Sequence, residues 1–206
     1  RIGYNYTMQK IDEGYFYNVF DIGNERVLKK RKKFIDIAKN VQGNSKNFFV
    51  QTLIKASWHF FRCFHATKKI QRKIAKYQDL LGVFGNPNFL SYVNYEQDKI
   101  TPLMDYFASH NENENKIMVD KYVSIIETLL EYGIHDYVYK FKNSYGINKE
   151  GNLIMADFNE VTFSKPKTIQ FVIENQWENE AQFRKYENGN LKEYIGEKLR
   201  KSLTFE

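Results

Sequence analysis

Residues 143–160 read NSYGINKEGNLIMADFNE, and the fold depends on how this stretch is parsed. Short apolar runs, GIN and LIMADF, stand on either side of Lys149-Glu150-Gly151-Asn152. That quartet is turn chemistry: glycine takes positive φ without a steric penalty, and asparagine closes local hydrogen bonds. The stretch is therefore expected to fold back as two short strands. Asn143 and Asp157, fourteen residues apart, then stand at its two ends. In a polar hairpin, an Asn and an Asp so placed cap turns.

Working outward, Lys116 to Tyr132 carries Met118, Tyr122, Ile125, Ile126, Leu129 and Leu130 at helical spacing, and Gly133 stops it. Ahead of this helix the polar NENEN marks a break. Before the break, FLSYVNYEQ and KITPLMDYF are expected to pair as a hairpin about Gln97-Asp98. At the N-terminal end, Met8 to Lys33 alternates, with Tyr15, Tyr17 and Val19 in one phase and a Gly23-Asn24 turn, which predicts two or three antiparallel strands. Between these sheets, two helices are expected. One spans Ser45 to Phe64, with an apolar face that includes Leu53, Ile54, Trp58, Phe61 and Phe64; the other runs from Ala66 to Leu81 and ends at Gly82. Beyond Pro166 the chain reads as mainly helical, ending in a helix with Leu191, Ile195, Leu199 and Leu203.

Composition bounds the possibilities. The 206 residues are 42% hydrophobic and 17% aromatic with only three prolines, which is globular rather than disordered composition. Cys63 stands alone, so no disulfide forms within the chain and no cysteine-rich zinc site assembles. A reducing, cytoplasmic setting is the expectation. No window approaches the length of an apolar membrane span, so no transmembrane segment is expected. A net charge of +6 favours an anionic partner such as a nucleotide, a nucleic acid or an acidic surface.

The order of strands, helices, hairpin, long helix, polar loop and short hairpin ending in Ala156-Asp157-Phe158-Asn159-Glu160 resembles the protein-kinase-like superfamily over roughly residues 11–160. That resemblance implies an α+β fold of two lobes, an antiparallel N-terminal sheet with inserted helices (1–107) and a short, mainly helical C-terminal lobe (108–206). It also implies ATP and Mg2+ as cofactors and an acceptor hydroxyl as the third party. Gly14, within DEGYFYNV, resembles the one surviving glycine of a phosphate-covering loop. An ordinary β-turn is the alternative reading.

Val27-Leu28-Lys29 resembles the third-strand lysine motif, so Lys29 is the candidate for the phosphates. Its place in Lys29-Lys30-Arg31-Lys32-Lys33 also fits a solvated charge run. Leu103-Met104-Asp105-Tyr106-Phe107 resembles the linker that meets adenine, which makes Met104 and Tyr106 nucleotide-binding candidates; a strand leaving a sheet is the alternative. Asn143 and Asp157 resemble the family's magnesium ligands. Ile134-His135-Asp136 resembles the start of the catalytic loop, with Asp136 on the acceptor hydroxyl and Lys140 beside the transferred phosphoryl group. The spacing from Asp136 to Asn143 is longer than the family's.

Other departures matter too. No glutamate lies between Glu25 and Glu96, so the lysine's usual ion-pair partner has no counterpart, and Asn159 stands where the family's motif has glycine. Three readings stay open. The first is an atypical ATP- and Mg-dependent phosphotransferase acting on a sugar, lipid-sugar or protein hydroxyl. The second is a pseudokinase that binds nucleotide or a partner, and the third is a module binding nucleic acid or an anionic surface. Lys68, Lys69, Arg72, Lys73 and Lys76 are expected on the exposed side of their helix, opposite its apolar stripe.

Overall fold

Alternation between Gln9 and Arg31 produces three antiparallel strands: β1 (Gln9–Glu13), β2 (Tyr17–Gly23) and β3 (Arg26–Arg31). The β2–β3 turn runs through positive φ at Gly23, Asn24 and Glu25 (78°, 53° and 55°), and Asp21 Oδ1 accepts from the Gly23 amide at 2.8 Å. With β4 (Asn88–Phe89) and β5 (Asn94–Asp98) they form a five-stranded sheet ordered β1-β2-β3-β5-β4. The computed structural model describes residues 8–14, 16–42, 49–136, 144–158, 161–164, 166, 170, 174 and 189–202. The chain is α+β and divides into two compact units, Arg1–Lys99 and Ile100–Glu206.

In the first unit the register pairs Tyr17 with Arg31, Val19 with Lys29, Val27 with Gln97 and Lys29 with Tyr95, so these side chains share one face of the sheet. Helix α2 (Phe49–Lys76) covers that face. The Tyr17 hydroxyl lies 3.5 Å from Thr67 Oγ1, and the Arg31 guanidinium lies 3.9 Å over the Phe60 ring while donating to the Phe60 carbonyl. A shorter helix, α1 (Phe34–Gln42), packs on α2 through Ile37, Ala38 and Ala56, with Phe34 edge-on to Phe60. Sequence reasoning missed α1, although its buried and half-buried Phe34, Ile37, Ala38 and Val41 stand at i, i+3, i+4 and i+7.

Two expectations about α2 are corrected. It is one helix of 28 residues where two were expected, because Ala66 and Thr67 continue its buried line without a break. That line is made of Ala56, Cys63, Ala66, Thr67, Ile70 and Ile74, mostly small residues that let the helix approach the sheet. Ile54, Trp58 and Phe61 are 64%, 58% and 60% exposed, so the large apolar residues lie on the outside, on the same side as the basic ones. The charge run after Lys29 is not one solvated face either. Lys30 and Lys33 are exposed, whereas Lys32 is buried and its ammonium meets the Glu13 carboxylate at 2.7 Å. After α2 comes a single turn, α3 (Leu80–Val83).

The second unit begins with β6 (Thr101–Pro102), which pairs with β8 (Tyr145–Ile147), itself paired with β9 (Leu153–Met155). The expected hairpin partner of β5 is therefore β4, and KITPLMDYF instead supplies β6 and helix α4 (Leu103–Ser109), which buries Leu103 and Phe107 one turn apart. Its alternation was a helical i, i+4 pair read as period two. The unit boundary at Lys99–Ile100 lies ahead of the division after residue 107 read from the sequence.

Helix α5 (Glu112–Glu131) starts earlier than expected because NENEN is its first turn. The Asn111 side chain accepts from the Glu114 amide at 3.0 Å and the Glu114 carboxylate accepts from the Asn111 amide at 3.1 Å, a reciprocal capping box. At the other end Gly133, at φ 63°, closes the helix as its amide and that of Ile134 return to the carbonyls of Leu130 and Leu129. Strand β7 (His135–Asp136) follows and pairs with β10 (Val161–Thr162). The last described helix, α6 (Gly189–Ser202), buries Leu191, Ile195 and Leu199 and is tied to α5 by Tyr194 and Lys198, which both reach Asp120. Leu203 lies outside the described residues.

Candidate nucleotide and metal site

The hairpin of β8 and β9 brings Ser144 and Asp157 together. Asn148 carries the turn: its carbonyl accepts from Gly151, its side chain accepts from the Asn152 amide at 2.9 Å, and Gly151 takes φ 79°. Pairing of Tyr145 with Met155 then returns the chain so that the Ser144 carbonyl accepts from the amides of Ala156 (2.7 Å) and Asp157 (3.2 Å). The residue that follows Asn143 is thus bonded to the backbone of Asp157. Gly146 makes this possible, since a Cβ there would meet Ile100 Cδ1 and the Thr101 carbonyl at 2.5 Å. Asp157 is half-buried between the fully buried neighbours Ala156 and Phe158. Its carboxylate is the described metal candidate; Asn143, the second, and Lys140 lie outside the described residues.

Asp136 sits in β7, 4% exposed, where the Tyr145 hydroxyl donates to its Oδ2 at 2.9 Å. The pairing of β7 with β10 fixes its backbone, so the residue belongs to the interior of the unit. Neighbouring His135 is also buried, and desolvation lowers its pKa from 6.5 to about 4, so the ring is neutral near pH 7. Both residues are strand interior. Sequence reasoning missed Tyr145 as Asp136's partner; that contact arises only from hairpin register, and no local pattern announces it.

Met104 and Tyr106 lie on α4, past the extended residues of β6, and Tyr106 stacks on the His110 ring at 3.6 Å between centroids. In the first unit Lys29 is half-buried on the central strand of the sheet, with its ammonium 5.9 Å from the centre of the Tyr95 ring. Gly14 begins the link from β1 to β2, and an added Cβ would meet nothing nearer than the Tyr17 carbonyl at 3.6 Å. Glu13, just before it, is held well below its ordinary pKa, to about 2, by hydrogen bonds from Lys10 and Lys32. The helix covering Lys29's face, α2, contains no Asp or Glu.

Among the described residues no three His, Cys, Asp or Glu side chains gather as a metal cage. A magnesium ion held by one or two protein oxygens together with substrate phosphates needs no such cage, and an Asp157 carboxylate with an Asn143 amide suits that donor chemistry. No described helix is long and apolar enough to cross a membrane.

The architecture therefore defines an α+β protein with an antiparallel N-terminal sheet and helices. No family model matches the chain, and no curated protein does. Among solved structures, the complex of Rv3197 with erythromycin from Mycobacterium tuberculosis is similar, with a TM-score of 0.50 and 11% identity over 84% of this chain and 53% of that one. The chain spans about half the length of that structure, and the likeness is one of fold alone.

Proposed function

We propose that the chain is a protein-kinase-like, ATP- and magnesium-dependent phosphotransferase acting on a hydroxyl acceptor. The observation that carries the reading is the hairpin that ties the backbone of Asp157 to the residue after Asn143. In this reading the two side chains would hold magnesium, which would supply charge neutralisation at the phosphates; the acceptor oxygen bonds to phosphorus, the bond to ADP breaks, and the hydroxyl proton leaves to solvent. The resemblance assigns Lys29 to the phosphates and the backbone around Gly14 to covering them. The adenine edge falls to extended backbone ahead of Leu103, with Met104 and Tyr106 behind it. Asp136 is assigned a positioning part, because its carboxylate is engaged by Tyr145 inside the unit; Lys140 is the cation for the transferred group.

The experiment is calorimetric titration of ATP with and without magnesium into the wild-type, Asp157→Ala and Lys29→Ala proteins. Magnesium-dependent binding, weakened at least about tenfold in both variants, is the expected result, about 1.4 kcal/mol or more. No binding at millimolar ATP removes the nucleotide reading. An acceptor screen follows, with sugars, lipid-linked sugars and erythromycin as hydroxyl donors.

A second reading, a pseudokinase, is favoured by one observation: the helix over Lys29's face offers buried Thr67 and no carboxylate. In the kinase-like family a glutamate on that helix preorganises the lysine for transfer. Tight ATP binding without phosphate release or transfer to any acceptor would select it.

A further inference from the structure

Helix α2 has two sides, and the core uses only one. Its buried line and the line through Ile54, Trp58, Phe61, His65, Lys68, Arg72 and Lys76 lie on opposite sides of the cylinder, the latter advancing in steps of three or four residues along the solvent face. The N-terminal half of that face is bulky and apolar, and the C-terminal half is basic. Over its 28 residues the helix carries seven Lys or Arg and no Asp or Glu.

The patch extends beyond the helix. Leu90 and Tyr92, in the turn between β4 and β5, are 55% and 51% exposed, and the Tyr92 ring meets Phe64 at 6.0 Å with the Lys68 ammonium 5.2 Å from its centre. Arg62 lies over Trp58 in the same manner, 5.2 Å from the ring centre. Exposed apolar side chains from two elements, with Arg62 against Trp58 and Lys68 against Tyr92, make up this surface of the first unit.

We propose that this face docks peripherally on an anionic lipid bilayer, with Ile54, Trp58, Phe61 and the Leu90–Tyr92 turn entering the headgroup boundary and Lys69, Arg72 and Lys76 against acidic headgroups. The charge of the helix is complementary to such a surface, and the mixture of Trp, Phe and Ile with Lys and Arg is the chemistry of interfacial helices. A polynucleotide would satisfy the cations, but it gives Ile54 and Leu90 nothing to stack on. A second copy of the chain would bring to the face another helix with seven cations and no carboxylate.

The test is sedimentation of the full chain with vesicles of phosphatidylcholine, with and without phosphatidylglycerol, at low and high salt. Binding is expected only with phosphatidylglycerol, and it should weaken as salt rises. The combined variant Ile54→Ser, Trp58→Ser, Phe61→Ser should bind at least tenfold more weakly. Lys69→Glu with Arg72→Glu should abolish the preference for the anionic lipid. Should the serine variant fail to fold, quenching of Trp58 by brominated lipid, in a chain carrying Trp177→Phe, reports insertion directly. Absence of vesicle binding overturns the proposal. So does a nucleic-acid affinity that the serine variant retains while vesicles are ignored, or a dimer that the serine variant dissolves without any vesicle binding.

Discussion

The two long helices, α2 and α5, carry similar apolar periodicity and use it in opposite ways. On α5 the buried line is large: Met118, Val119, Tyr122, Val123, Ile126 and Leu129. On α2 it is mostly small, and the large residues Ile54, Trp58 and Phe61 face out. Periodicity identifies a helix in both cases, but it identifies the inner face only where one face alone is apolar. On α2 the small-residue line and the aromatic line compete, and the sheet selects the small one because its own face already carries bulk in Tyr17, Tyr95 and Arg31.

The largest expected effect separates the two helices directly. Leu129→Ala on α5 should cost about 2–5 kcal/mol by urea denaturation, whereas Trp58→Ala on α2 should cost under about 0.5 kcal/mol despite removing more side chain. Equal losses would place Trp58 in a core and erase the contrast.

A second contrast lies in what each helix delivers at its C-terminal end: exposed Lys76 from α2 and buried His135 just past α5. Below its ordinary pKa of 6.5, the unfolded chain's imidazole takes a proton that the folded one refuses until about pH 4. Stability contributed by the neutral ring is therefore complete above pH 6.5 and declines as pH falls through that window, by roughly 3 kcal/mol at most. Thermal melts of wild type and His135→Gln between neutral pH and pH 4 should converge on acidification; parallel curves would show a solvated imidazole.

Smaller effects sharpen the picture. Ala56→Leu fills the narrow line between α1 and α2 and should destabilise by about 1–3 kcal/mol, an overpacking penalty visible as a lower Tm. If it instead stabilises, the gap beneath α2 is wider than its small residues imply. Asn111→Ala removes half of the α5 capping box and should cost about 1 kcal/mol in the same assay, a deficit that Asn111→Asp should largely avoid.

These contrasts also explain what was legible beforehand. The first three strands, the Gly23-Asn24 turn, the Gly133 stop and the hairpin over residues 145–155 all rest on local chemistry, and that chemistry is written in adjacent residues. Lys29 could be placed on a strand for the same reason. The course of KITPLMDYF could not, because Leu103 and Phe107 fit both periods and only pairing of Thr101 with Ile147 decides. Burial of Asp136 was equally hidden: its partner Tyr145 stands nine residues further on and is set by the register of β8 with β9. Lys140 and Asn143 lie outside the described residues, and of the expected site hairpin only the bonds from the Ala156 and Asp157 amides to Ser144 fall within them.

The Lys32–Glu13 ion pair gives the edge of the first sheet a direction. Every residue of β1 is exposed, so the strand has little burial to hold it, yet its last residue is the counter-charge of an ammonium that has no comparable access to water. Peeling from the Glu13 end would strand that charge, whereas peeling from the Gln9 end costs ladder bonds and the exposed Lys10–Glu13 pair. The strand therefore unzips one way, like a door hung on its C-terminal edge, and the turn at Gly14 stays seated while the far end of β1 comes and goes.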